Sequence, residues 1–384
     1  MKLTLIVQLF LGAATVAASP VQHDSTYKKP LYKRLKLVDL AQFGSGFHTI
    51  TLEEAKADAA KNNAEHAGLL SGITGSNSKA ASNVVHSNGQ STSAGNATVK
   101  ATGNCTSPAT RIEWRSLSDS DQLAFVNAIK CLIDLPASGQ WASAGSTNRY
   151  EDLVAVHSQM TDTIHMVAQF LPWHRYYVNV FESMLREECS YTGPMTWWNE
   201  PLDAGHFSTS PVFSSTTFGS GPVKTDDGQG TCIADGVFSN LTIHIGGERC
   251  LSRAVDETAT AQCSTDFVNS CNSNNQYSDM EHCSEFGPHG YGHNGVGAVM
   301  SFVSISPGDP VFFMHHGFVD HSYLLWQNAD LANRQFQVNG CTDSACSSNL
   351  TTDYVLSSQG LRPEVTVNDV LDTQGGYLCY VYDS

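Results

Sequence analysis

The chain has 384 residues, enough for one large core or two modest domains. Its 37 acidic residues outnumber 21 basic ones, and the net charge of −16 argues against nucleic acid or an anionic membrane as a partner. The 11 cysteines suit an oxidising compartment, and the odd number implies five bridges and one leftover thiol.

The first residues read as an export signal. Lys2 supplies positive charge, Leu3 to Val16 a short apolar run, and Val16-Ala17-Ala18 a small-residue cleavage site, so residues 1–18 are expected to be removed and the protein secreted. That run is too short to span a bilayer, and no later segment stays apolar long enough, so no membrane association is expected. Residues 19–104 read as an N-terminal extension. Lys28-Lys29-Pro30 and Lys33-Arg34 form a basic patch, the latter pair being either a processing site or an ordinary exposed pair. Leu52 to Leu70 reads as a helix, and Ser71 to Gly103, rich in Ser, Gly and Asn, as a linker. Sequons at Asn96, Asn104, Asn240 and Asn349 predict N-linked glycans.

The texture changes at Cys105, and residues 105–384 read as one mainly helical domain stapled by disulfides. Ser118 and Asp121 form a capping pair opening a helix, with Leu123, Val126, Ile129 and Leu132 expected to face the core. Short strands are expected within Gly236–Ile245 and Leu378–Tyr382.

Three histidines follow: His157, His165 and His174. On one unbroken helix His165 and His174 would point to opposite sides, because nine steps of about 100° make half a turn. Pro172 resolves this, since it begins a helix more readily than it continues one. His157 is therefore placed on one helix, His165 on a connector, and His174 in the first turn of a second helix ending near Cys189. So arranged, three imidazoles can converge on one metal, and imidazole suits Cu, Zn, Fe or Ni alike. Further on, His289 and His293 share one helical face at i, i+4 spacing, just after the helix-starting Gly287-Pro288. The segment Asp309-Pro310-Val-Phe312-Phe313-Met-His315-His316 then brings adjacent histidines, of which one faces a given site. Asp320, four beyond His316, is a candidate acceptor to orient it.

The run His165-Met-Val-Ala-Gln-Phe170-Leu-Pro172-Trp173-His174-Arg175, with Glu182 eight residues after His174, resembles the copper A signature of the tyrosinase–catechol oxidase family. Asp309-Pro310-x-Phe312 followed by His316 and Asp320 resembles its copper B signature, and that register selects His316 rather than His315. Cys105-x-x-Pro108-x-x-Arg111-x-Glu113-Trp114-Arg115-x-Leu117 and Trp197-Trp198-Asn199 are similar to further segments of short secreted fungal members.

The resemblance implies a four-helix bundle holding a dinuclear type 3 copper site. Its ligands would be His157, His165 and His174 for one ion and His289, His293 and His316 for the other, with O₂ as co-substrate. It implies oxidation of catechols to o-quinones, with o-hydroxylation of small monophenols left open. Many monophenol-active members carry Asn directly after the first copper B histidine, where this chain has Gly290; Asn294 follows the second instead. Glu281 or Glu285 is the candidate base for the phenol proton, and Val303 a candidate gate over copper A; a solvated carboxylate and a core valine are the plain alternatives. Thr163 stands where some relatives have a thioether-forming Cys, so no such crosslink is expected. Only 58 residues follow Trp326, so any shielding of the site is expected from the N-terminal segment. The competing readings are a haemocyanin-like dioxygen carrier and a dinuclear zinc hydrolase; the latter usually needs bridging carboxylates, absent from this ligand set.

Overall fold

The computed structural model describes residues 36–74 and 105–384, with side chains for 36–68 and 105–384. The export signal, the basic patches, residues 75–104 of the linker, and the sequons at Asn96 and Asn104 lie outside the described residues. The other two sequon asparagines, Asn240 and Asn349, are exposed.

The helices are α1 (Leu52–Thr74), α2 (Asp119–Asp134), α3 (Arg149–Ile164), α4 (Phe170–Cys189), α5 (Glu257–Thr260), α6 (Thr265–Asn272), α7 (Tyr277–Ser284), α8 (Gly290–Val296), α9 (Phe312–Ala329), α10 (Leu331–Arg334) and α11 (Val367–Leu371). Short strands tie them together. β1 (Leu37–Asp39), β4 (Gln229–Cys232) and β7 (Ser252–Arg253) form one antiparallel sheet in the order β1-β4-β7. β10 (Tyr380–Tyr382), β2 (Ala109–Glu113) and β3 (Thr196–Trp197) form a parallel one. β5 (Thr242–Ile243) with β6 (Arg249–Cys250), and β8 (Val355–Leu356) with β9 (Val365–Thr366), are two-stranded pairs. Of these, β5 and β10 fall inside the two segments read as β from the sequence, and the other strands lie outside them.

The core is a bundle of α2, α3, α4 and α9, and its local features follow from the sequence. Asp121 N–H donates to Ser118 Oγ at 3.2 Å, capping α2 where the Ser–Asp pair predicts. Val126, Ile129 and Leu132 are buried as expected, with Phe125 and Ala128 beside them. Leu123 is not: it is 44% exposed. The buried face of α2 centres on Ile129, and Leu123 lies about 120° round the helix from it, past the edge of that face. α1 begins at a capping box in which Glu54 N–H donates to Thr51 Oγ1 (3.2 Å) and Thr51 N–H donates to Glu54 Oε2 (2.7 Å), and it runs past Leu70 to Thr74. The described residues all belong to one compact unit. Among the described residues no helix is long and apolar enough to cross a membrane.

Five disulfides join Cys105–Cys379, Cys131–Cys189, Cys232–Cys250, Cys271–Cys283 and Cys341–Cys346, leaving buried Cys263 as the free thiol. Cys131–Cys189 pins the end of α2 to the end of α4 across 58 residues of chain. Its replacement by a pair of serines is expected to lower stability by about 2–4 kcal/mol, read as a shifted guanidinium midpoint. An unshifted midpoint would mean that helix packing alone sets the α2–α4 contact.

Candidate metal centre

All seven histidines singled out from the sequence come together at the centre of the bundle. His157 lies on α3 and His165 caps that helix; His174 lies on α4. α4 begins at Phe170, two residues before Pro172, so His174 opens its second turn rather than its first. The chain kinks at Gly287 (φ −99°, ψ −114°), and α8 then carries His293, with His289 as its N-terminal flank. His315 and His316 lie on α9.

Two clusters result: His157, His165 and His174 in one, and His289, His293, His315 and His316 in the other, with candidate ligand atoms within 4.8 Å of one another in each. The clusters abut, the His174 and His316 rings stacking with centroids 4.4 Å apart. All seven side chains are buried.

Backbone carbonyls set the tautomer of five of them. A carbonyl can only accept, so each Nδ1 facing one carries the hydrogen. The acceptors are Ser304 for His157 (3.2 Å), Thr161 for His165 (3.0 Å), Phe170 for His174 (2.9 Å), Glu285 for His289 (2.9 Å) and Met300 for His293 (2.9 Å). Each Nε2 then presents a lone pair inward. Those of His157, His165, His174 and His289 have no hydrogen-bond partner, while Nε2 of His293 meets Nε2 of His316 at 3.4 Å. Burial drives the ring pKa values down, that of His165 to about 4 and those of His157, His174, His289, His293 and His316 well below the ordinary histidine value. Neutral imidazoles with orphaned, inward lone pairs are what a transition-metal ion needs, and no carboxylate belongs to either cluster.

The other signature residues do a different job. Asp320 does not touch His316. It accepts from Arg111 Nη1 (3.1 Å), Arg175 Nε (2.5 Å), Tyr380 Oη (2.5 Å) and Tyr382 Oη (2.6 Å), so its expected role as an orienting acceptor is corrected. Two buried guanidiniums outcompete a neutral imidazole for its charge. Arg111 also pairs with Glu182 at 3.1 Å, so a single ionic hub joins β2, α4, α9 and β10 beneath the histidines. It is His315 that meets a carboxylate, Nδ1 lying 2.6 Å from Glu200 Oε1 with both side chains fully buried. The backbone of Gly292 passes so close that a Cβ there would lie 2.5 Å from His315 Cε1.

The remaining candidates lie around the rim. Glu281 and Glu285 are both buried, and Glu285 Oε1 accepts the Met166 N–H at 2.7 Å. Burial raises both carboxyls, that of Glu285 to about 8. Val303 is half-buried, one residue before the Ser304 carbonyl that holds His157. Gly290 lies against the chain at His48 and Thr49. Asn294 accepts the Phe47 N–H on Oδ1 (2.9 Å) and donates from Nδ2 to the Phe47 carbonyl (2.7 Å). Thr163 donates to the Met160 carbonyl and lies outside both clusters. Sequence reasoning passed over Phe47 and Glu200. Nothing in their local sequence marks them, since each meets its histidine from more than a hundred residues away.

A helical bundle with paired clusters of buried, neutral histidines defines a dinuclear metalloprotein. Residues 147–329 match the pattern described as the common central domain of tyrosinase. The chain is 33% identical over 320 residues to the tyrosinase-like protein phomQ1 of Diaporthe leptostromiformis, covering 75% of this chain and 81% of that one. It is 29% identical over 347 residues to the N-acetyl-6-hydroxytryptophan oxidase ivoB of Emericella nidulans, covering 73% and 93%. A polyphenol oxidase variant from Thermothelomyces thermophila superposes with a TM-score of 0.66 at 24% identity, over 87% of this chain and 98% of that one. The chain belongs to the tyrosinase family. It is accordingly an oxidase-type protein with a dinuclear copper centre and O₂ as co-substrate.

Proposed function

We propose that the chain oxidises o-diphenols to o-quinones, with His157, His165 and His174 holding one copper and His289, His293 and His316 the other. The observation that carries this reading is the set of inward, neutral Nε2 atoms on abutting clusters with no carboxylate among them. The copper pair, when bound, supplies reversible one-electron acceptors that couple phenol oxidation to O₂. Each catechol gives up two electrons and both hydroxyl protons, so two catechols are oxidised for each O₂ that leaves as two waters.

The protein's own part is to hold and exclude. The carbonyl-anchored Nδ1 atoms fix every ring but that of His316, whose place is set by stacking on His174. Phe170, Phe312 and the histidines make an apolar, aromatic surround that suits a phenol ring. Glu281 and Glu285 are the buried carboxyls proposed to receive the phenol proton, and Val303 is proposed as part of the rim over the first cluster. Gly290, where monophenol-active members carry Asn, favours catechols over monophenols. The name of the ivoB relative, an oxidase of a hydroxylated tryptophan, supports a phenolic substrate class broader than simple catechols. Secretion and glycosylation at Asn240 and Asn349 belong to the same proposal, supported by the N-terminal pattern and the exposure of both asparagines.

The test is O₂ uptake by the copper-loaded full chain with 4-tert-butylcatechol and, separately, with a simple monophenol. Uptake with the catechol alone is expected. Uptake with both would show that Gly290 does not limit hydroxylation, and no uptake with copper bound would overturn the reading in favour of a carrier.

A further inference from the structure

In the first cluster, His165 is the histidine whose place the helices do not fix. His157 and His174 lie inside α3 and α4, whereas His165 caps α3 and opens a short connector that runs to Gln169. Met166, next along, has φ +57°, a left-handed conformation that a side chain keeps only where its surroundings impose it. The His165 ring bonds the Thr161 carbonyl, but its reach into the cluster follows the backbone that carries it.

That backbone is held from outside the bundle. Ala168 N–H donates to the Cys341 carbonyl at 2.9 Å, and the Ala168 carbonyl accepts from Tyr277 Oη at 2.5 Å. Buried Gln169 spends its Nε2 on two carbonyls, that of Thr163 at the end of α3 (2.7 Å) and that of Thr342 (3.0 Å). Cys341 and Thr342 belong to a loop, residues 340–350, that is closed on itself. The Cys341–Cys346 disulfide crosses it, Thr342 N–H donates to the Ser348 carbonyl (3.0 Å), and Leu350 N–H donates to the Gly340 carbonyl (2.8 Å). The approach to the connector is close: Gly340 has φ +110°, and a Cβ there would lie 2.9 Å from Ala168 Cβ. Just before the loop, Asn339 accepts the Ser278 N–H (3.0 Å) and donates to Ser278 Oγ (3.1 Å), while Gln337 Oε1 accepts the Tyr277 N–H (2.6 Å). The loop and the start of α7 are thus tied together, and both grip the connector.

We propose that the disulfide-closed loop 340–350 is a clamp on the His165 connector, with Gln169 as a positioning residue, and that it sets how firmly the first site keeps its copper. A histidine inside a helix is placed by the turns around it. One on a connector is only as well placed as what packs against that connector. With the loop loosened, His165 shifts with its backbone while His157 and His174 stay, so the first site falls back on two ligands. The second site, built on α8 and α9, is untouched. The proposal rests on His165 being a copper ligand, and not on which phenol is oxidised.

The experiment opens the clamp in two ways: by Cys341→Ser with Cys346→Ser, and by Gln169→Met, which keeps a buried chain of similar size but donates to neither carbonyl. Both are made in the full chain and also in His316→Ala, where the first site alone keeps copper, and in His174→Ala, where the second alone does. In the metal-free full chain, the double serine variant is expected to speed hydrogen exchange at the Ala168 amide at least about tenfold, with α9 unchanged. Copper loss to excess EDTA is expected to quicken at least about tenfold in the His316→Ala background and not at all in the His174→Ala one. Equal quickening in both backgrounds would make the loop a general stabiliser and overturn the clamp. So would unchanged exchange at Ala168, or copper loss from the first site that neither variant alters. Faster exchange at Ala168 in a chain whose parent binds no copper would uphold the grip on the connector and sink the ligand assignment.

Discussion

Asp320→Ala is expected to destabilise the protein by about 3–5 kcal/mol, because it strands buried cations. Arg111 and Arg175 have side chains 1% and 0% exposed, and Asp320 is the carboxylate both share. Glu182 would still pair with Arg111. Arg175 would keep the Gln327 side chain, the carbonyls of Val370 and Leu371 and the face of the Tyr323 ring, none of them a counter-charge. The Tyr380 hydroxyl would lose its acceptor as well, while that of Tyr382 would keep the Gly317 carbonyl at 3.0 Å. A fall in Tm of about 10 °C, at a fixed scan rate, is the corresponding readout. Burial by itself would raise the Asp320 carboxyl, but Arg175 and Arg111 outweigh it and hold it below its usual value. The linkage sign follows: a depressed carboxylate contributes stability above its unfolded pKa and loses it as the pH falls through the folded one. The difference between parent and Asp320→Ala should therefore be largest at neutral pH and shrink in acid. A melting point unchanged at neutral pH would show that the hub is not what joins β2, α4, α9 and β10.

Removing a single inward imidazole is expected to have the other large effect. His174→Ala and His316→Ala should each lose copper from one site and reduce diphenol turnover by at least about a thousandfold, since metal assistance is worth several kcal/mol of barrier. The adjacent pair makes the sharper test. His315 lies in the same cluster, but its Nδ1 is committed to Glu200, and only His316 stacks against the other triad. His315→Ala should therefore retain both ions, though with a loosened second cluster. If His315→Ala loses copper and His316→Ala keeps it, the ligand assignment moves by one residue and the proposed geometry of the second site is wrong.

The sequence by itself determined the contacts that are short-range. His165, His174 and His289 each donate Nδ1–H to the carbonyl four residues earlier, so the helix geometry that carries the ring also orients it. The break after His165 could be argued from Pro172, although the new helix starts two residues sooner than the proline implies. The cysteine arithmetic and the capped start of α2 were legible for the same reason, since each depends on composition or on neighbours within one turn.

What the tertiary structure decided are the partners brought from afar. Asp320 sits one helical turn past His316, and periodicity alone makes it that histidine's orienting acceptor. The fold gives it instead to Arg111, 209 residues away, because two buried cations bind a carboxylate more strongly than one neutral ring does. Glu200 reaches His315 across 115 residues, and Phe47 reaches Asn294 across 247. No local pattern marks either residue, because an unremarkable glutamate and an unremarkable phenylalanine acquire their roles only from what packing places opposite them. The sequence thus named the chemistry of the centre, and the long-range packing decided what supports it.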